Sequence, residues 1–221
     1  MLDASSLSWI THHSCLILII TVTSLISLYG FQHIRFFNRY QFHVGAILKN
    51  KQYDRLISSA FLHGDMTHLF FNMITLYSLG SILNNVDLFL IYFFSIVGGS
   101  LFSLYIHKNQ FHYSAIGASA GVSGVVYAII GMYPNIELRI FLIPIGIKGW
   151  VFSIFYMLYS IMGMQIKKGR IGHSAHIGGS LFGFLFIIIF NPSFLFINKF
   201  YIIVMMIPFG YFILKRLKIL K

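Results

Sequence analysis

Four polar side chains stand in otherwise apolar stretches of this chain: His68, Asn72, Ser123 and His176. Hydrogen-bonding groups in hydrocarbon are costly unless paired, so each of the four needs a reason to be there. His68 and Asn72 are four residues apart, which places them on one helical face about a turn from each other. An imidazole and an amide so placed can donate hydrogen bonds to a developing negative oxygen without carrying an obligatory charge. Ser123 lies in Gly121-Val122-Ser123-Gly124, where flanking glycines let another helix approach and leave first-turn amides accessible. His176 is followed by Gly179 and Gly183, a small-residue strip that permits a close helix contact. An imidazole brought to a serine hydroxyl can take its proton during attack on a carbonyl and return it to a leaving amine. A second serine, Ser119 in Gly117-Ala118-Ser119-Ala120, stands one turn earlier, and periodicity alone does not choose between the two. The competing reading of every one of these residues is structural, with polar groups clamping helices and small residues packing them.

The elements that must position these groups are membrane helices. Of 221 residues, 57% are hydrophobic and 10% charged, with a mean hydropathy of +0.80, which excludes an ordinary soluble domain. About 20 apolar residues cross the hydrocarbon layer. Runs of that kind fall at roughly 13–30, 66–83, 88–106, 149–164 and 174–190. A shorter run, from near Ser123 to just before Pro134, is too short to cross alone and needs shelter inside a bundle. A last run over 200–214 contains Pro208 and is expected as a seventh transmembrane helix, with an interfacial helix as the alternative. The fold class is therefore all-α, a polytopic helix bundle of six core helices and a seventh at the C-terminus, divided into a core over 1–195 and a hydrophobic helix with a basic tail over 196–221. The segment 31–55, where Arg35, Arg39, Lys49, Lys51 and Arg55 alternate with aromatic residues, suits the interface.

The net charge of +11 does not signal nucleic acid, because the basic residues sit in short groups between apolar runs. One cysteine, Cys15, leaves no internal disulfide framework. No metal or other cofactor is expected. Zinc would need His63, His68 and His176 brought together; the chain has no His-Glu-x-x-His, and its one glutamate, Glu137, belongs to the opposite face. A channel or transporter would spread its polar residues through the bilayer, whereas alternation of the spans gathers His68, Ser123 and His176 near one face.

His68-Leu-Phe-Phe-Asn72, Gly121-Val-Ser-Gly124 with Tyr127, and Ala175-His176 with Gly179 and Gly183 fall on the second, fourth and sixth spans. In that order and placement they resemble the rhomboid family of intramembrane serine proteases, and residues 55–80 also look like that family's entry into its second helix. The likeness covers roughly residues 15–190. It implies a six-helix core and hydrolysis of peptide bonds in or near transmembrane segments of membrane protein substrates, without a cofactor. By resemblance Ser123 is the nucleophile, in preference to Ser119, and His176 is the general base and then acid. His68, Asn72 and the backbone N–H of Ser123 correspond to the oxyanion site, Gly121 to the motif glycine, and Tyr127 to a residue packed beside the catalytic histidine. The partners implied are transmembrane substrates and lipids, in a prokaryotic cell membrane. A catalytically silent relative that binds transmembrane helices is the alternative. The fifth span, with Trp150 and the bulky run 152–159, is expected as a lateral gate, and 167–173 as a lid.

Orientation is in conflict. The family arrangement, which we take as the expectation, turns the active site outward. Yet 13 basic residues lie on the Ser123 face against three on the other, or nine against seven if the last helix does not cross.

Overall fold

The computed structural model describes residues 11–139, 145–164 and 172–216. It is an all-α bundle of apolar helices, with two minimal antiparallel strand pairs among the connections. The first crossing helix, α1, is Ser14–Gln32. The connection that follows folds into α2 (Ile34–Tyr40), β1 (Phe42–His43), α3 (Val44–Asn50) and α4 (Arg55–Ser58), then a 3-10 turn over Ser59–Phe61. Its centre is Arg55, a buried cation whose guanidinium donates to the carbonyls of Asn38 and Gln41 and to Gln52 Oε1, at 3.0, 2.6 and 2.7 Å. The charge is thus absorbed within the connection, and this part of the expected interfacial segment has a core of its own, formed by Phe42, Val44 and Ile47.

Helix α5 (Met66–Gly80) opens on Asp65, whose carboxylate accepts from the backbone N–H of His68, a standard N-cap. A short turn joins it to α6 (Asn85–His107), which is capped by Asn84 through two backbone N–H groups. Next come β2 (Ser114–Ala115) and α7 (Ser119–Met132). Every residue from Ala120 to Gly131 is buried, so α7, about 21 Å long at 1.5 Å per residue, is the sheltered short helix expected of the fourth span. It begins at Ser119 rather than near Ser123, one turn earlier than the sequence suggested.

Beyond β3 (Glu137–Leu138) and β4 (Ile147–Lys148) lie α8 (Gly149–Gly163), α9 (His173–Phe190), α10 (Ser193–Ile197) and α11 (Lys199–Arg216). Helices α6, α7 and α9 form the centre, and α11 lies against α8. At one end of α11, the Asn198 amide donates to the carbonyls of Gly131 and Met132 at the foot of α7. Nearer its other end, Phe209 meets Tyr127 and Phe212 meets Phe102. The last helix therefore runs through the depth of the bundle rather than across one end of it. The lid expected over 167–173 lies outside the described residues except for its last two positions.

Candidate active site

Glycines set which groups meet. A Cβ on Gly179 would collide with the Ala120 carbonyl, and one on Gly183 with the backbone of Gly124, so α9 rests directly on α7 with 179 opposite 120 and 183 opposite 124. The two helices run in the same direction. In that register His176, one turn before Gly179, stands at the first turn of α7. Its Nε2 lies 2.6 Å from Ser119 Oγ. The N-terminus of α9 is fixed by Ser174, whose hydroxyl meets Ser103 Oγ at 2.8 Å, His107 Nε2 at 3.0 Å and Tyr113 OH at 3.3 Å.

Ser123 is therefore not the serine that His176 reaches. It is buried about 6 Å further along α7, where its hydroxyl is bonded to Tyr156 OH of α8 at 2.5 Å. The glycine register accounts for this pairing: a deeper contact would need α9 shifted by a full turn, away from the positions where its glycines fit. The same register places two further residues. Gly121 makes room for the ring of Tyr92, while the glycine two residues before the paired serine is Gly117. Gly117 has φ +117°, a left-handed conformation that side chains rarely adopt, and a Cβ there would lie 2.9 Å from the His68 ring. Tyr127 is fully buried and donates from its hydroxyl to the Ser153 carbonyl; the ring stacked on His176 belongs to Tyr156, at 6.0 Å between centroids and 19° between planes.

The segment approaching Ser119 is irregular, and its backbone is satisfied by the first connection, as a sheltered non-helical segment requires. Phe42 and Ala115 pair as strand neighbours. Gly117 N–H donates to the Ser59 carbonyl at 3.0 Å, and Ala118 N–H to His63 Nε2 at 3.3 Å. The other ring nitrogen of His63 is 2.8 Å from Ser27 Oγ, which itself donates to the Phe61 carbonyl at 2.8 Å. Accepting at Nε2 makes His63 neutral with its proton on Nδ1. Burial, with a smaller effect from His68, pushes its pKa down to about 3.

His68 lies over Gly117, beside Ser119. Gly64 N–H points at its Nδ1 from 3.5 Å, which leaves the ring proton for Nε2. Asn72 is buried a turn deeper and donates one amide hydrogen to the His68 carbonyl at 2.9 Å, leaving its second free of that bond. A small cavity next to Ser119 is lined mainly by apolar residues, among them Phe42, Ile96 and Ile116, with the hydroxyls of Ser59, Ser100 and Ser103 as its polar part. The arrangement can thus offer a hydroxyl, an imidazole to accept its proton, and the His68 ring close by as an N–H donor. Among the described residues, His176 Nδ1 has no hydrogen-bond partner, so the pair is a dyad without a third, acidic member. No group of three described His, Cys, Asp or Glu residues is close enough together to hold a metal ion.

Residues that sequence reasoning passed over are Gly117, Ser59 and Tyr156. Gly117 carried a signal, because Gly117-Ala118-Ser119 is itself a Gly-x-Ser. Tyr156 carried none beyond its place in a bulky run, since its contact depends on how α8 packs.

A family model for the rhomboid domain matches residues 50–193. "Rhomboid protein 1, mitochondrial" of Saccharomyces cerevisiae is 31% identical over 139 residues, covering 59% of this chain and 40% of that protein. "RHOMBOID-like protein 4" and "RHOMBOID-like protein 5" of Arabidopsis thaliana are 29% and 31% identical, covering 71% and 67% of this chain and 39% and 48% of those proteins. The chain thus spans less than half the length of each of these relatives. They are mitochondrial or plant proteins, and they give no support to the expected prokaryotic cell membrane.

Proposed function

The chain belongs to the rhomboid family, and from that premise we propose that it is an intramembrane serine endopeptidase, cleaving transmembrane protein substrates in or near their membrane segments with Ser119 as nucleophile and His176 as general base and acid. The observation that carries this reading is the 2.6 Å contact between His176 Nε2 and Ser119 Oγ. Proposing Ser119 rather than Ser123 also gives the motif glycine's role to Gly117, which its backbone conformation suits.

In this account Ser119 Oγ attacks the scissile carbonyl carbon as its proton passes to His176 Nε2. The tetrahedral oxyanion receives hydrogen bonds from His68 Nε2–H, the free amide hydrogen of Asn72 and the backbone N–H of Ser119, an unpaired first-turn amide. Collapse expels the amine, which takes the proton from His176. A water molecule, for which the small cavity beside Ser119 has room, then repeats the sequence on the acyl-enzyme, and Ser119 recovers its proton. A substrate helix must unwind locally first, since its carbonyls are hydrogen-bonded, and residues of low helix propensity near the scissile bond reduce that cost.

Cleavage of a reporter transmembrane substrate in liposomes tests the reading. Activity is expected to vanish in Ser119→Ala and His176→Ala and to persist in Ser123→Ala. A binding-only relative would cleave in none of these forms, native chain included, across a panel of substrates.

A further inference from the structure

Among the described residues nothing is bonded to His176 Nδ1, so no hydrogen bond on the second ring nitrogen aims the imidazole, and the helix that carries it must do so. Ser174 precedes His176 by two residues, about 200° around α9, so that it faces α6 while His176 faces α7. Helices α6 and α9 run antiparallel at this contact: a Cβ on Gly178 would lie 2.9 Å from the Gly99 Cα, and one turn along each helix Ser103 meets Ser174. Glycine backbone sets how near the two helices lie but offers no side chain against slippage or rotation. The directional restraint at this end of α9 is the hydroxyl of Ser174.

With His107 neutral, the bonds around that hydroxyl have one consistent set of directions. Gln110 Oε1 accepts from His107 Nδ1 at 3.0 Å, which leaves His107 Nε2 to accept the Ser174 proton, also at 3.0 Å. The two lone pairs of Ser174 Oγ then receive the hydroxyls of Ser103 and Tyr113, at 2.8 and 3.3 Å. A hydroxyl, an imidazole and an amide in line look like a second catalytic set, but Ser174 is 1% exposed and has no lone pair left for attack. The set holds rather than reacts. Tyr113 joins it to the other half of the dyad: its ring is stacked on His107, at 3.6 Å between centroids and 8° between planes, its carbonyl accepts from Val44 N–H at 3.1 Å, and the chain runs from it into β2 and on to Ser119. The approach to Ser119 and the helix bearing His176 therefore leave from one polar cluster.

We propose that Ser174 is a positioning residue for His176, its hydroxyl locked by His107 and Tyr113 so that α9 presents the imidazole to Ser119 at bonding distance. The inference rests on the assignment of the dyad to Ser119 and His176. Removing the hydroxyl unties α9 from α6 at the end where the imidazole stands and leaves His107 Nε2 and the Ser103 and Tyr113 hydroxyls without their partner. The glycine contacts deeper in the bundle remain. The loss then falls on the chemical step and spares substrate binding, which lowers kcat and leaves KM.

The test measures kcat and KM for cleavage of a transmembrane reporter by the full chain in liposomes. Exhaustive labelling with a small fluorophosphonate counts the active sites, so that unfolded protein does not enter the rate. Ser174→Ala is expected to lower kcat per labelled site about tenfold with KM unchanged, the scale of a displacement of about half an ångström where rate falls about 10²-fold per ångström. His107→Leu is expected to do the same. His107→Gln, whose amide oxygen can accept the Ser174 proton, is expected to recover most of that loss. Tyr113→Phe keeps the stacked ring and removes one donor, so its loss should be smaller than that of Ser174→Ala. Ser174→Ala combined with His107→Leu should be no slower than the slower single variant, because both cut one restraint. Unchanged kcat per labelled site in Ser174→Ala overturns the positioning role, even if the melting temperature falls; so does a His107→Gln variant as slow as His107→Leu, and this pair decides alone if Ser174→Ala does not fold. An adduct on Ser123, or labelling that survives His176→Ala, overturns the dyad assignment instead.

Discussion

His176 meets Ser119, and the serine one turn deeper, Ser123, meets Tyr156. Two serines on one face of α7 thus have different partners because two helices, α9 and α8, reach that face at different depths. The division follows from backbone contact between α7 and α9, which only glycine at 179 and 183 allows.

A side chain at 179 should therefore affect activity as well as stability. Gly179→Ala drives a Cβ into the Ala120 carbonyl, and the overpacking is expected to cost about 1–3 kcal/mol. Separation of His176 from Ser119 should lower cleavage more than tenfold, by the steep dependence of rate on geometry, about 10²-fold per ångström. Gly210→Ala is the control, since nothing lies within 4 Å of a Cβ there; in a helix interior it should stabilise by about 0.5–1 kcal/mol and leave cleavage unchanged. Thermal melts in detergent and reporter cleavage read both.

His63 should make the fold sensitive to acid. Its pKa is about 3 in the folded chain against an ordinary 6.5, because burial keeps it neutral. Below 6.5 the unfolded chain binds a proton that the folded chain refuses. The stability His63 supplies is therefore complete above pH 6.5 and declines as pH falls from 6.5 toward 3, at up to about 1.4 kcal/mol per pH unit. His63→Asn is expected to be less stable at pH 8, having disturbed the bonds to Ala118 and Ser27, and to lose stability less steeply on acidification. Melting curves between pH 8 and 5 check this; equal slopes in the two proteins would contradict it.

The course of α11 fixes a relative topology. Lys215 and His112 should share one membrane face and Arg139 the other, because α11 runs from the foot of α7 toward the active-site end. In a Cys15→Ser background, Lys215→Cys and His112→Cys should react with an impermeant maleimide from the same side, and Arg139→Cys from the opposite side. Labelling of Lys215→Cys from the Arg139 side would contradict the crossing.

Much of this was legible before any coordinates. Apolar runs located the helices, because a membrane demands length and apolarity from each crossing independently of its neighbours. His68, Asn72 and His176 stood out as polar groups that hydrocarbon penalises. The choice between Ser119 and Ser123 was not legible, because residues four apart share a helical face and both follow a Gly-x-Ser pattern. What separates them is the register of α7 against α9, which brings together residues 57 positions apart. That the ring on His176 is Tyr156 and not Tyr127 was hidden for the same reason: both face the α7–α8 contact, and only packing decides which ring lies there. The connection over 31–55 read as interfacial because its cations and aromatic rings alternate; that Arg55 would be buried under backbone carbonyls depends on the fold of the connection itself.

The central claim is that Ser119 is the nucleophile activated by His176. It is tested most directly by labelling the native chain with a fluorophosphonate and locating the adduct by peptide mass spectrometry. The account expects the adduct on Ser119, lost in His176→Ala and retained in Ser123→Ala. An adduct on Ser123, or labelling indifferent to His176, would contradict it.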